Sequence, residues 1–204
     1  MEQAIRIKQQ SAVRGRGIVS AISIALCSSL AVLFLAPAAC GQQYRPSEYQ
    51  VKATYLYDFS RFVEWPEQSA DSRSGPFLIC VLGQNPFGRA LNDLVANENI
   101  GGKSVVAKQV NTADDAAGCR VVFISFSEEA HLKQILTSLN SSSALTVSDL
   151  PRFTERGGMI QFVLENNHVR FQVNIETAKH AGIAMSSELL KLAVGIRKNS
   201  TFGN

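Results

Sequence analysis

Pro76-Phe77-Leu78-Ile79-Cys80-Val81-Leu82-Gly83 is a continuous apolar run of strand length, closed by glycine. Such a run, with no polar residue alternating through it, belongs to a strand buried on both faces of a sheet. A second run of the same type, Val121-Val122-Phe123-Ile124, lies further on, and Ser104 to Val110 reads as a strand opened by a Gly101-Gly102 turn. Helical patterns separate them. Phe87 to Ala96 presents Leu91, Leu94 and Val95, while Ser127-Glu128-Glu129 supplies a cap and an acidic first turn for a helix carrying Leu132, Ile135, Leu136 and Leu139. A short strand, Ala144 to Val147, follows. Strands alternating with helices at these lengths predict an α/β sheet with parallel pairs and helices on both faces.

Outward from that centre the pattern changes. Met159 to Leu164 and His168 to Ile175 are joined by Asn166-Asn167, and the second run alternates apolar and polar residues, which predicts a C-terminal antiparallel hairpin. Two helices are expected to close the domain, Glu176 to His180 and Ser186 to Lys198, the last with a stripe of Leu189, Leu190, Ala193, Val194 and Ile196. On the N-terminal side Ser47 and Gln50 form a capping-box pattern. The helix they open carries Val51, Tyr55, Phe59, Phe62 and Val63 at helical spacing and stops before Pro66. The stretches 67–76 and 111–118 and the tail from Asn199 read as loops or ends.

The chain has 204 residues, 46% hydrophobic and 18% charged, which excludes a disordered or collagen-like class. Its net charge of +3 would invite a nucleic-acid reading. That charge sits in one place, however. Arg6, Lys8, Arg14 and Arg16 against Glu2 precede an uncharged apolar run from Gly17 to Leu35 and the small residues Ala36-Pro37-Ala38-Ala39-Cys40-Gly41. This is the layout of an export signal over residues 1–41. The remaining domain, 42–204, holds 16 basic and 16 acidic residues (20 − 4 and 17 − 1) and has no basic stripe for nucleic acid. Two alternatives stand beside cleavage: the apolar run approaches the length of an uncleaved anchor, and Pro37-Ala38-Ala39-Cys40 resembles a lipobox with Pro in place of the leading Leu, which would allow lipid anchoring at Cys40. Every one of these readings puts the domain outside the cytoplasm.

Cys27 and Cys40 fall in the signal, so the domain retains Cys80 and Cys119. In an oxidising compartment an even pair favours a disulfide, and the alternative is two buried thiols filling core space. No metal-ligand spacing joins these cysteines to His131, His168 or His180. Gly101-Gly102-Lys103-Ser104 ends like a phosphate loop but has Asn97 where the first glycine belongs. Motifs for nucleophilic hydrolysis, zinc proteolysis and dinucleotide binding are likewise missing from the sequence. The residues therefore predict no catalytic site, no metal and no cofactor.

Lys52-Ala53-Thr54-Tyr55-Leu56-Tyr57-Asp58-Phe59 with Phe62-Val63-Glu64-Trp65-Pro66 resembles the opening signature of the YfiR family of exported bacterial proteins. The resemblance continues through Ile79 to Gly83, Pro86-Phe87-Gly88, Gly101-Gly102-Lys103, Cys119 to Ile124, Leu145-Thr146-Val147-Ser148-Asp149 and Gly157-Gly158-Met159-Ile160. It ends with Phe171 to Ile175, Ala181-Gly182-Ile183 and Ser186 to Ala193. The order and spacing of these blocks cover about residues 50 to 195. The resemblance implies a periplasmic, non-catalytic repressor that holds an inner-membrane diguanylate cyclase inactive and lowers cyclic di-GMP, with an outer-membrane lipoprotein able to sequester it. It also implies that Cys80 and Cys119 form one family disulfide, whereas a second family disulfide has no cysteines here.

A binding role calls for an apolar or aromatic surface. Trp65 and Pro66 after the first helix, and Leu189, Leu190, Ala193 and Ile196 in the last, are the candidates, each with core packing as the plainer alternative. A periplasmic small-ligand sensor acting on a membrane receptor or sensor kinase is the competing function. It would use the crevice at the carboxyl ends of the parallel strands, near Gly83 to Gly88 and Ser125 to Glu129. A homodimer is the default assembly.

Overall fold

Ser47 opens the first helix, α1 (Glu48–Arg61), through a complete capping box: its Oγ accepts from the Gln50 amide, and the Ser47 amide donates to the Gln50 Oε1 at 2.6 Å. The computed structural model describes residues 46–66 and 75–198, so the export signal, the anchor alternative and the lipobox at Cys40 lie outside the described residues. After α1 come β1 (Val63–Glu64), β2 (Phe77–Leu82), α2 (Ala90–Val95), β3 (Asn99–Ile100), β4 (Lys103–Val110) and α3 (Ala113–Ala116). Next are β5 (Val121–Ile124), a 3₁₀ turn over Phe126–His131, α4 (Leu132–Leu139), β6 (Leu145–Ser148), β7 (Ile160–Glu165) and β8 (His168–Asn174). The chain continues through α5 (Ile175–His180), β9 (Ala184–Met185), α6 (Ser187–Leu192) and β10 (Gly195–Arg197).

Among the described residues eight strands form one mixed sheet in the order β10-β8-β7-β6-β5-β2-β4-β3. Its centre is parallel, with β2 between β4 and β5, then β6 and β7. The expected hairpin is the antiparallel pair β7/β8, turned by Asn166 and Asn167 at φ +50° and +62°, the left-handed conformation that such two-residue turns require. A separate two-stranded ribbon pairs β1 with β9 antiparallel.

The apolar runs fill both sides of this sheet. Ile79, Val81, Phe123, Val147, Ile160, Phe171 and Val173 join Leu56 and Phe59 of α1, Leu91 and Val95 of α2 and Leu189 of α6 in one core layer. Cys80, Leu82, Val122 and Ile124 join Ala116 of α3, Leu132, Ile135 and Leu139 of α4 and the loop residue Phe153 in the other. The predicted α/β sheet with a C-terminal hairpin and helices on both faces is the observed architecture.

Several local readings are corrected. The buried face of α1 is Lys52, Ala53, Leu56, Phe59 and Ser60, one residue away from the expected stripe, which leaves Phe62 39% exposed. The helix expected from Phe87 begins at Ala90, because Asn85 accepts from the Phe87 amide, donates to the Gly88 carbonyl and makes the entry a turn. The stretch 111–118 contains α3, capped by Thr112. Ser127 does not cap its helix; its hydroxyl accepts from the Gln84 amide instead.

The largest change is at the end. The last helix stops at Leu192, Ala193 adopts an extended ψ of 131°, and the chain returns as β10, parallel to β8. Ala193-Val194-Gly195-Ile196 explains the switch. Val and Ile favour extended backbone, and a glycine lets the strand lie against Gln172 of β8, where an added Cβ would come within 3.3 Å of the Gln172 Cγ.

Candidate functional site

At the carboxyl end of β6 the chain turns sharply. The Ser148 hydroxyl donates to the Ile124 carbonyl at 2.6 Å and accepts from the Leu150 amide at 3.1 Å, which fixes the backbone on either side of Asp149. Against this turn lies α1. Lys52, on its buried face, places its ammonium 2.6 Å from the Asp149 Oδ2 and 2.5 Å from the Glu48 Oε1. The lysine side chain is only 4% exposed. Tyr49 donates its hydroxyl to the same Asp149 oxygen at 2.9 Å, and the ammonium sits 4.4 Å from the Tyr49 ring centre. Burial, and after it the Asp149 carboxylate that accepts its proton, hold the Tyr49 phenol above its ordinary range.

A buried ammonium is tolerable only when paired and hydrogen-bonded. Two carboxylates and a ring face meet that need here and tie the first helix to the centre of the sheet. Lys52 and Asp149 fall in two of the family-like blocks, and neither carries an expected role there. Lys52 stands one helical turn before Leu56 on the face that packs inward, which is not the stripe expected from the sequence.

The crevice expected at the carboxyl ends of β2 and β5 is occupied by the protein's own loops. A Cβ on Gly83 would lie 2.4 Å from the Ser127 Oγ and 2.5 Å from the Glu128 Oε1, so glycine is what allows the two loops to touch. Gln109 seals the other side by donating to the Gly83 carbonyl at 2.8 Å. Beside it remains an open polar cleft of about 430 Å³, bordered by Asn111, Asp114, Glu128, His131 and Ser138.

Trp65 and Pro66 are both half-buried. Trp65 packs edge-on against Phe77 with ring centres 5.5 Å apart, and the Arg120 guanidinium lies 5.8 Å from its ring. Its buried indole Nε1 has no hydrogen-bond partner among the described residues. Pro66 covers Gly182. The C-terminal candidates are not one helical stripe: Leu189 is core at 2% exposure, Leu190 and Ala193 are half-buried, and Ile196 stands on β10 at 43% exposure.

Cys80 on β2 and Cys119 before β5 are bonded, with Cα atoms 6.0 Å apart, and both are fully enclosed by the α3/α4 core layer. The open choice between disulfide and paired thiols is thus resolved in favour of the disulfide.

These features define a disulfide-stapled α/β domain with a pinned first helix. The sequence model of the YfiR/HmsC-like family matches residues 49–194, and the chain belongs to that family. Among solved structures, a conserved domain protein from Vibrio cholerae O1 biovar El Tor aligns at 12% identity and a TM-score of 0.50 over 74% of this chain and 60% of that one. The ABC domain of Streptococcus pneumonia solved with L-Trp aligns at 12% identity and a TM-score of 0.48 over 73% of this chain and 60% of that one. The first of these likenesses concerns the fold alone.

Proposed function

We propose that this protein is a periplasmic, non-catalytic regulator that binds the periplasmic part of an inner-membrane signalling protein, a diguanylate cyclase, and holds it inactive so that cyclic di-GMP falls. The family match over residues 49–194 carries this reading, since it spans nearly the whole described domain. An enclosed Cys80–Cys119 disulfide fits an exported protein, because such bonds persist in oxidising compartments. Among the described residues no helix is long and apolar enough to cross a membrane, and no group of three or more His, Cys, Asp or Glu is placed to hold a metal ion.

Co-expression with cyclases that carry periplasmic domains, with cyclic di-GMP measured in each strain, tests the proposal. A fall in cyclic di-GMP with at least one cyclase is expected. Unchanged levels with every cyclase would overturn it.

A further inference from the structure

A cleft of about 330 Å³ opens at the amino ends of the parallel strands β4, β2 and β5, the opposite end of the sheet from the crevice expected in the sequence. Trp65, Phe77 and Ile100 give it apolar walls. Three cations complete the lining: Arg61, the last residue of α1; Lys103, the first of β4; and Arg120, the residue before β5. No Asp or Glu borders it among the described residues. In a domain whose basic and acidic residues balance, such a cleft is a local segregation of charge.

The fold holds each cation in place. Arg120 donates its amide to the Leu78 carbonyl and accepts at its own carbonyl from the Leu145 amide, so strands on both sides fix its backbone. The residue is 7% exposed, and its guanidinium lies against the Trp65 ring. Lys103 follows the Gly101-Gly102 turn, whose φ angles of +57° and +77° suit glycine. Arg61 is exposed at the helix end, 5.9 Å from the Tyr57 ring centre, with the Asp58 carboxylate as an electrostatic neighbour on the same helix. Lys103 and Arg120 stand on the two strands that flank β2, at least about 10 Å apart across the sheet. A point-like anion can meet one of them. A longer anion, charged at both ends, can meet both while its body lies on the apolar walls.

We infer that this cleft binds a small organic dianion, two carboxylates carried on a compact apolar body; the inference stands apart from the regulator reading above. Ammonium and guanidinium groups meet carboxylates in charge-assisted hydrogen bonds, and the five N–H donors of an arginine let it hold a ligand carboxylate beside another partner. The Trp65 indole N–H, buried with no hydrogen-bond partner among the described residues, is a costly state that a ligand oxygen removes after a small turn of the ring.

Trp65 is the only tryptophan in the chain, so its emission reports on the cleft directly. The test titrates the full exported chain at pH 7 with cis-cyclohexane-1,3-dicarboxylate, with the uncharged cyclohexane-1,3-dimethanol and with inorganic sulfate, following Trp65 fluorescence and, in parallel, calorimetry. The dicarboxylate is expected to bind saturably and to weaken with added salt. The diol and sulfate should each bind at least about tenfold more weakly, since one lacks the charges and the other the apolar body. Lys103→Gln and Arg61→Gln should each weaken the dicarboxylate about tenfold. Lys108→Gln, which removes an exposed cation of β4 outside the cleft, should leave it unchanged. Equal binding of the diol or of sulfate overturns the inference, as does a dicarboxylate affinity untouched by both cleft variants or lowered as much by Lys108→Gln. A Glu67→Gln, Asp71→Asn chain that binds the dicarboxylate more than about tenfold tighter would give the cleft to residues 67–74 of the chain itself and would overturn it too.

Discussion

The Lys52 ammonium meets the Asp149 carboxylate at 2.6 Å across 97 positions of sequence. The contact joins the first helix to the turn that follows β6, and because Lys52 is buried the pair cannot be exchanged for water without loss. Removing one partner of such a pair leaves the other desolvated and uncompensated, at about 3 kcal/mol. Lys52→Met is therefore expected to lower stability by that amount. At roughly 2–4 °C per kcal/mol for a domain of this size, the melting temperature should fall by about 6–12 °C. Asp149→Asn leaves Glu48 as a partner and should cost less. A denaturation cycle of the two single variants and the double variant checks the pair, and strictly additive losses would show that the two side chains are not coupled.

The disulfide closes a loop of sequence separation 39. Loop closure of that length removes about 4 kcal/mol of chain entropy from the unfolded state. Replacing both cysteines by alanine should lower the denaturation midpoint accordingly. Because both sulfurs are enclosed, a mild reductant should leave the native protein's midpoint unchanged until unfolding exposes them. Two free thiols found by non-reducing mass analysis of exported protein would contradict the pairing.

Gly158 lies against the ring of Phe153, where an added Cβ would stand 2.1 Å from the Phe153 Cε1. Phe153 is fully buried, so the ring cannot yield cheaply. Gly158→Ala is expected to destabilise by about 1–3 kcal/mol as an overpacked core does. The control is Gly118→Ala, whose Cβ would meet nothing within 4 Å. Thermal melts of the two variants should differ clearly, and equal melts would mean that Phe153 has room to move.

Burial raises the Asp58 carboxyl above its ordinary value, and Arg61 only partly opposes this. A carboxyl raised in the folded state holds its proton more tightly there than in the unfolded chain. Its contribution to stability is complete below the ordinary carboxylate value and is lost as pH climbs through the raised one. Asp58→Asn should thus melt above wild type near pH 7 and approach it at about pH 3. A variant difference that does not change with pH would assign the effect to something other than ionisation.

Elements with a single strong period were legible in the chain: the runs at Phe77 and Val121 gave parallel strands, the Asn166-Asn167 pair gave the hairpin, and Ser47 with Gln50 gave the start of α1. Errors gathered where two periods overlap. From Ser186 onward, Leu189, Leu190 and Ala193 fit a helix, while Leu192, Val194 and Ile196 fit a strand, and only pairing with β8 decides between them. The buried face of α1 lies one residue from the expected stripe, because it includes Lys52, whose burial depends on Asp149, far away in sequence, which no local pattern announces. The loops expected to border the crevice, Gly83 to Gly88 and Ser125 to Glu129, do meet at the strand ends; what no local pattern announces is how closely, with Ser127 and Glu128 against Gly83.

The Cys80–Cys119 bond gathers α2, β3, β4 and α3 into one closed ring of chain, while β6 to β10 lie outside it. Stretched from its ends, the protein can pay out the second group in full but cannot pay out the ring, which withholds roughly 130 Å of contour at about 3.4 Å per residue. The two edges of the sheet therefore differ mechanically. One is tethered, and the other, ending in β10, is free to give way under load.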